Sequence, residues 1–332
     1  MAQVISGVNT LHGFRAVADL GSNTFHLMVG RFEGESREIL LHRREAVGIG
    51  KDGMHKKRIL PDATDRAITA LRSFASELRE LGMEAADADV YATSAFRNAE
   101  NAQEVLKEIE MHTGFRPRII SGQEEASLIF QGVLGSGVLK ENEDALVVDI
   151  GGGSVEFILC RGKKAVWQES LEIGGLRLME RFHNADPLPV HQLSAMEMHL
   201  KEVLKPVWDQ IAGIKFLNLV GCSGSFDTMV DIRNAIFSDD CLPAETSAMH
   251  DLSRADFLEL FYKIIPLSLE ERLAIPGMIP LRAGMMVVAL SLVKVLLDET
   301  SSPGIRVSTW SLKEGALLQH FFPSDDAVYQ SR

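Results

Sequence analysis

Cysteine is scarce in this chain. Its 332 residues hold three, Cys160, Cys222 and Cys241, without CxxC spacing. An odd, scattered set speaks against a disulfide framework or a thiolate zinc site and reads as reduced thiols of a cytoplasmic protein. The ten histidines show no ligand spacing such as HExxH, which argues against a histidine-built metal centre, and no Ser–His–Asp set is legible. Basic residues are in the minority: 34 Lys and Arg face 46 Asp and Glu, for a net charge of −12. That balance argues against broad nucleic-acid binding, which needs a basic surface. Long apolar runs are missing as well. Segment 281–297 is the richest, but it is uninterrupted only over 283–293. That is about half of the roughly 20 residues needed to cross a membrane, so a buried core helix is expected. The N-terminus (MAQVISGVNTLHGF) has no basic start followed by an apolar core, and no signal peptide is expected.

One pattern is written twice. Residues 16–31 read AVADLGSNTFHLMVGR, and residues 146–161 read LVVDIGGGSVEFILCR. The two align without a gap at a constant offset of 130 residues. Each is an apolar run, an Asp, a Gly-containing turn and a second apolar, β-branched run: a strand, a tight turn and a returning strand. Small residues at such turns let an oxyanion approach several backbone N–H groups. A carboxylate just before the turn, Asp19 or Asp149, can hold a metal ion directly or through water. Two such hairpins facing each other would form a phosphate clamp with acidic anchors.

Periodicity between the hairpins predicts the remaining elements. A third strand is expected over 39–47. Pro61 opens a helix to about Leu81, with Ile68, Leu71, Phe74, Ala75 and Leu78 on one face and Gly82 as its stop. Strands are expected over 89–93 and 118–120. Ser94 is expected to cap a helix reaching about Thr113, and another helix covers 123–134. The polar stretch 135–143 reads as an interdomain connection. The second half repeats this opening, with a third strand near 165–173, a helix after Gly175, another over 193–211 and a buried strand over 216–220. Segment 234–250 reads as a loop. Later helices are expected near 253–265, 268–274, 281–298 and 312–322, with a strand ending at 307–308. The chain is long enough for two domains, 1–135 and 136–311, with the helix at 312–332 packing back on the first.

The hairpins DLGSN and DIGGGS resemble the two phosphate loops of the actin, Hsp70 and sugar-kinase superfamily. Four further segments, TSAFRNAEN (93–101), IISGQEEASLIFQGV (119–133), IGGLRLMERF (173–182) and LKEG (312–315), narrow this. Together they resemble the exopolyphosphatase and guanosine pentaphosphatase (Ppx/GppA) family, in its short form. The resemblance implies an α/β chain of two RNase H-like (actin-like ATPase) domains flanking a cleft. It also implies a hydrolase of phosphoanhydride bonds that uses Mg²⁺ or another divalent cation. The expected substrate is inorganic polyphosphate, releasing its terminal phosphate. Guanosine pentaphosphate is the close rival, and a non-catalytic polyphosphate or nucleotide sensor is a rival of another class. A sugar-kinase-like phosphotransferase fits the EEA helix less well. No nucleic-acid or membrane partner is expected, and a homodimer is compatible with the family.

The candidate site follows residue by residue. Gly21, Ser22 and Asn23 at the first turn and Gly151, Gly152, Gly153 and Ser154 at the second are expected to donate to phosphate oxygens. Glu156 shares a strand face with Ser154, and by resemblance it helps Asp149 hold the metal, with Asp19 nearby. Arg97, Thr93 and Ser94 at a helix start, and Gly175 with Arg177 at another, are further phosphate contacts. Ser121 to Glu124 is also a capping box, S-x-x-E, and the residues alone leave that role equal to a catalytic one. The resemblance favours a general base here, and Glu124, the first of the pair, is the expected one rather than Glu125. One helical step of about 100° prevents both from facing one target. GCSGS (221–225) has the form of an anion loop. Segment 42–58 carries six basic residues against two acidic ones, either a guide for a chain of phosphates or a solvated loop. Lys313 stands where the family's pattern has Arg, Arg282-Ala283-Gly284 lacks that pattern's Asp, and the second loop reads SVE rather than STE. These departures leave substrate preference open.

Overall fold

The computed structural model describes residues 13–33, 36–215, 217–237 and 243–321. Its first sheet contains β1 (Arg15–Leu20), β2 (Thr24–Glu33), β3 (Ser36–Ala46), β4 (Asp89–Ala92) and β5 (Arg118–Ile119), in the order β3-β2-β1-β4-β5. The first three strands form an antiparallel meander, and β4 and β5 continue the sheet in parallel with β1. The second sheet contains β6 (Asp144–Ile150), β7 (Val155–Arg161), β8 (Lys164–Leu171), β9 (Leu217–Cys222), β10 (Met249–Ser253) and β11 (Gly304–Ser308). Its order is β10-β11-β9-β6-β7-β8: the same plan, with β10 as an added antiparallel edge. The chain thus has a two-domain, actin-like α/β fold.

Helices cover these sheets. Around the first lie α1 (Pro61–Glu80), α2 (Ser94–Asn98) and α3 (Ala102–Thr113), while α4 (Gly122–Gly135) lies between the sheets, against β7 and β8 of the second. Around the second lie α5 (Gly175–Phe182), α6 (Val190–Val203), α7 (Lys205–Ile211), α8 (Gly224–Phe237), α9 (Arg254–Ile264), α10 (Leu269–Leu273), α11 (Pro280–Ala283) and α12 (Met286–Thr300), and α13 (Leu312–Gln319) ends the described chain. In α1, Pro occupies the first position, the predicted apolar face is buried, and Gly82 follows at φ +74°. The apolar run becomes α12, buried along most of its length. Among the described residues no helix is long and apolar enough to cross a membrane.

Several local expectations need correction. Ser94 does not cap a long helix. The five-residue α2 stops at Asn98, and α3 starts again at Ala102. The Ser94 hydroxyl instead donates to Glu172 at 2.7 Å. The expected loop 234–250 is partly regular, since α8 runs to Phe237 and β10 begins at Met249. Cys241 and Phe216 lie outside the described residues, while Cys160 and Cys222 are free, buried thiols.

The last helix links the two halves. From β11 in the second sheet, the chain crosses so that α13 packs on α4 and β1 of the first. The crossing is close because it is made at glycines. A Cβ on Gly315 would lie 1.8 Å from the Leu128 carbonyl oxygen, and one on Gly132 would lie 2.0 Å from that of Ser311. Backbone cannot give way as a side-chain tip can. Gly315→Ala is therefore expected to destabilise the protein by about 3 kcal/mol, at the upper end of ordinary overpacking. Urea unfolding measures it, and a loss under about 0.5 kcal/mol would show that the two helices separate readily.

Candidate active site

The repeated pattern builds the two walls of one cleft. In β1 and β2, Asp19 pairs with His26 across the hairpin, and in β6 and β7, Asp149 pairs with Glu156. Both turns close alike: Gly21 N–H donates to Thr24 O and Gly151 N–H to Ser154 O, each at 3.1 Å. The loops meet. A Cβ on Gly153 would lie 2.5 Å from the hydroxyls of both Ser22 and Ser94, so a side chain there would have to displace both. Their carbonyls are tied from behind. Ser22 O and Asn23 O accept from Gly50 and Gly48 at 2.9 and 2.8 Å. Gly151, Gly152 and Gly153 O accept from Gly175, Leu176 and Gly174 at 2.9, 2.8 and 3.1 Å. In a planar trans peptide the following N–H points the opposite way. The amides of Asn23, Gly152, Gly153 and Ser154 are thereby turned from the bracing segments.

The cleft encloses a cavity of about 320 Å³. Asp19, Glu125, Asp149 and Glu156 line it at the loop end. Glu156 is 1% exposed and accepts from the Ser170 hydroxyl at 2.7 Å. Asp149 lies 3.6 Å from the Cys222 thiol, which donates towards its Oδ2. Burial, reinforced by Glu125, raises the Asp19 carboxyl to about 8. Burial raises Asp149 to about 6, moderated by bonds from Ser223 and Cys222. It also holds Glu156 well above the usual range, with Glu125 and Asp149 adding to the effect. Burial lifts Glu125 to about 7 against the pull of Arg97.

The structure separates the expected residues into two groups. Asp19, Gly21, Ser22, Asn23, Thr93, Ser94, Asp149, Gly151, Gly152, Gly153, Ser154 and Glu156 all line the cavity. Glu124, Arg97, Gly175 and Arg177 do not. Glu124 is the main correction. Its N–H donates to the Ser121 cap at 3.1 Å, while its carboxylate turns outward to Arg118 at 2.5 Å and is 38% exposed. The next residue, one helical step round, faces the cleft. Glu125 is 8% exposed and forms an ion pair with Arg97. Arg97 is held by Glu125 and by the Ile120 carbonyl at 3.2 Å, and it reaches the Ser154 hydroxyl at 3.4 Å. Gly175 and Arg177 brace the second loop: Arg177 Nε donates to Gly153 O at 2.9 Å. Ser22 accepts from Ala95 N–H at 3.1 Å, which positions α2.

Other cleft residues carried little sequence signal. Glu172, just beyond β8, accepts from Ser94 at 2.7 Å and from Arg177 at 2.9 Å, linking the domains. The same cavity is also lined by His26, His42, Arg282 and Lys313. His26 and His42 are stacked, their ring centroids 5.9 Å apart. Among the described residues, His26 Nδ1, His42 Nε2 and Arg282 Nε are buried without a hydrogen-bond partner. Burial first, then Lys313, pushes His42 down to about 3 and His26 well below its usual value. The alignment of His26 with Glu156 was visible in the repeat, but it gave no role for the imidazole.

Residues 29–321 match the Ppx/GppA phosphatase family, which is most of the chain. The chain belongs to that family. A crystal structure of an exopolyphosphatase from Cytophaga hutchinsonii is similar over 94% of this chain and 99% of its own, at 36% identity and a TM-score of 0.89. A Ppx/GppA enzyme from Aquifex aeolicus shares the fold over 92% of this chain and 99% of its own, at 23% identity and a TM-score of 0.75. A bifunctional 3-dehydroquinate synthase/phosphatase from Fusobacterium nucleatum is 27% identical over 92% of this chain. The chain spans 46% of that relative's length. Membership places the chain among hydrolases of phosphoanhydride bonds.

The donor set suits a hard divalent cation. Asp149, Glu156 and Asp19 offer only oxygen, and Asp19 Oδ1 is buried with no hydrogen-bond partner among the described residues. Among the described residues no three His, Cys, Asp or Glu side chains enclose a single metal point.

A pH signature follows. Asp19, Asp149 and Glu125 titrate near 8, 6 and 7 when folded, against ordinary values of 3.8, 3.8 and 4.5. The folded chain then holds more protons than the unfolded one, so the stability these groups contribute is complete below about pH 4 and is lost as pH rises through 6 to 8. In EDTA the melting temperature is expected to fall between about pH 5.5 and 8.5, and Mg²⁺ is expected to restore it most at the upper end. A metal-free melting temperature that rises over this interval would contradict the buried-carboxylate account.

Proposed function

We propose that this chain is an exopolyphosphatase that hydrolyses the terminal phosphoanhydride of inorganic polyphosphate, with Glu125 as general base. One observation carries the reading: a buried carboxylate titrating near 7 lines the same cleft as two facing phosphate loops. A base works best with its pKa near the working pH. The Cytophaga hutchinsonii protein, similar over nearly the whole of both chains, is an exopolyphosphatase.

In this reading the amides of Asn23, Gly152, Gly153 and Ser154 bind the oxygens of the terminal phosphoryl group. Arg97 keeps Glu125 oriented and lies against Ser154. Glu125 takes a proton from a water whose oxygen attacks the terminal phosphorus. The bridging P–O bond breaks, and the shortened chain leaves on its oxygen. A divalent cation held by Asp149 and Glu156, with Asp19 beside them, would neutralise charge on the phosphoryl oxygens. Closure of the loops excludes bulk water. With reduced Cys160 and Cys222, the protein fits a cytoplasmic setting.

Guanosine pentaphosphate is the second reading, favoured by another part of the cavity lining. There the stacked His26 and His42 stand with Met28, Ile39 and Trp310, rings and apolar groups suited to a base.

Phosphate release from long-chain polyphosphate with Mg²⁺ tests the assignment. Glu125→Gln is expected to lower kcat about 10²- to 10⁴-fold, and Glu124→Gln to change it only a few-fold. The wild-type rate is expected to fall below about pH 7 as Glu125 takes up its proton. The reverse order of the two variants would return the base to Glu124. Release from guanosine pentaphosphate alone would favour the second reading, and metal-dependent binding without turnover would indicate a sensor.

A further inference from the structure

The turn between β3 and α1 carries a charge pattern that the proposed reaction does not use. Residues 47–58 are hooked to the first phosphate loop through Gly48 and Gly50, which donate to Asn23 and Ser22 at 2.8 and 2.9 Å. The turn is tightly built. Asp52 and Lys57 are held at φ +55° and +51°, a left-handed conformation uncommon outside glycine. Arg58 N–H donates to Gly53 O at 3.2 Å, and Lys57 O accepts from Glu100 N–H at 2.8 Å. Strained backbone persists only where its surroundings over-determine it.

What this turn displays is positive charge. Lys51, Lys56, Lys57 and Arg58 are all exposed, with Asp52 as the turn's only acidic residue. None of the four cations has an ion-pair partner among the described residues. Of the nearby acids, Glu180 pairs with His55 at 3.4 Å and Glu172 accepts from Ser94 and Arg177, while Glu100, whose N–H meets the Lys57 carbonyl, is exposed. The patch borders the cleft. Lys57 and Arg58 share a shallow hollow with Arg177, and Arg177 is joined through Glu172 to Ser94 on the cleft wall. On a chain of net charge −12, this is a local exception to a field that repels polyanions.

We infer that the 51–58 turn is a docking surface for the part of a long polyphosphate chain that lies outside the cleft while its end is bound within. The inference rests on the exopolyphosphatase reading for the end inside. A repeating chain of phosphates needs point charges rather than a shaped pocket, and flexible exposed lysines supply them.

The test uses the full chain and the variant K56Q/K57N/R58Q, in which Asn tolerates the left-handed backbone at position 57. KM for long-chain polyphosphate is expected to rise about tenfold, with a shallower salt dependence, while kcat/KM for tripolyphosphate stays within about twofold. Equal losses on both substrates would overturn the inference and make the turn a brace for the phosphate loop. No change on either would overturn it as well. Binding of long-chain polyphosphate to the Glu125→Gln variant, with and without the turn substitutions, separates docking from turnover. Turn-dependent binding without wild-type hydrolysis would support the surface and remove the exopolyphosphatase reading. A single-stranded oligonucleotide bound as tightly as polyphosphate would overturn the choice of ligand.

Discussion

Burial of like charges is the constraint around which this molecule is arranged. Asp19, Glu125, Asp149 and Glu156 line one cleft, and burial raises the titration point of each. Charge of one sign is costly to gather in a low-dielectric site. Arg97, itself mostly buried, compensates part of it through Glu125. The remainder is what a divalent cation and a phosphoryl group held by backbone amides would balance. The acids and the amides therefore form one device: each leaves an electrostatic demand that a metal–phosphate complex would meet.

Much of this architecture was readable because hairpins encode their own register. The constant offset between residues 16–31 and 146–161 fixed both turns, and the pairings of Asp19 with His26 and Asp149 with Glu156 follow from it. The expected phosphate-loop residues line the cavity because the loops themselves build it. The choice between Glu124 and Glu125 was not readable. Adjacent helical positions differ by about 100°, and which one faces inward depends on how α4 packs against β8 and α13. Arg97 and Arg177 were expected as phosphate contacts, but each is engaged by a carboxylate, Arg97 by Glu125 and Arg177 by Glu172, and their spacing in the sequence gave no sign of either pairing. β10 escaped notice for a similar reason: an edge strand needs only one neighbour, and its five residues are mostly exposed.

The two halves share a plan but differ chemically at one position. Across the hairpin from its Asp, the second domain has Glu156, whereas the first has His26. Glu156 is surrounded by other acids, Glu125 and Asp149, whereas His26 is surrounded by Lys313, His42 and Arg282. The two hairpins thus bring an acid and an imidazole to equivalent places in one cleft.

The glycine contact between α4 and α13 has a mechanical meaning. α13 is the direct continuation of β11 in the second sheet, and it presses backbone to backbone on the helix that carries Glu125. Such a contact has little room to slip and acts as a fulcrum. Because α4 lies on β7 and β8 of the second sheet and α13 on β1 and β2 of the first, this one contact locks the two halves crosswise, and it fixes the base of the helix that carries Glu125.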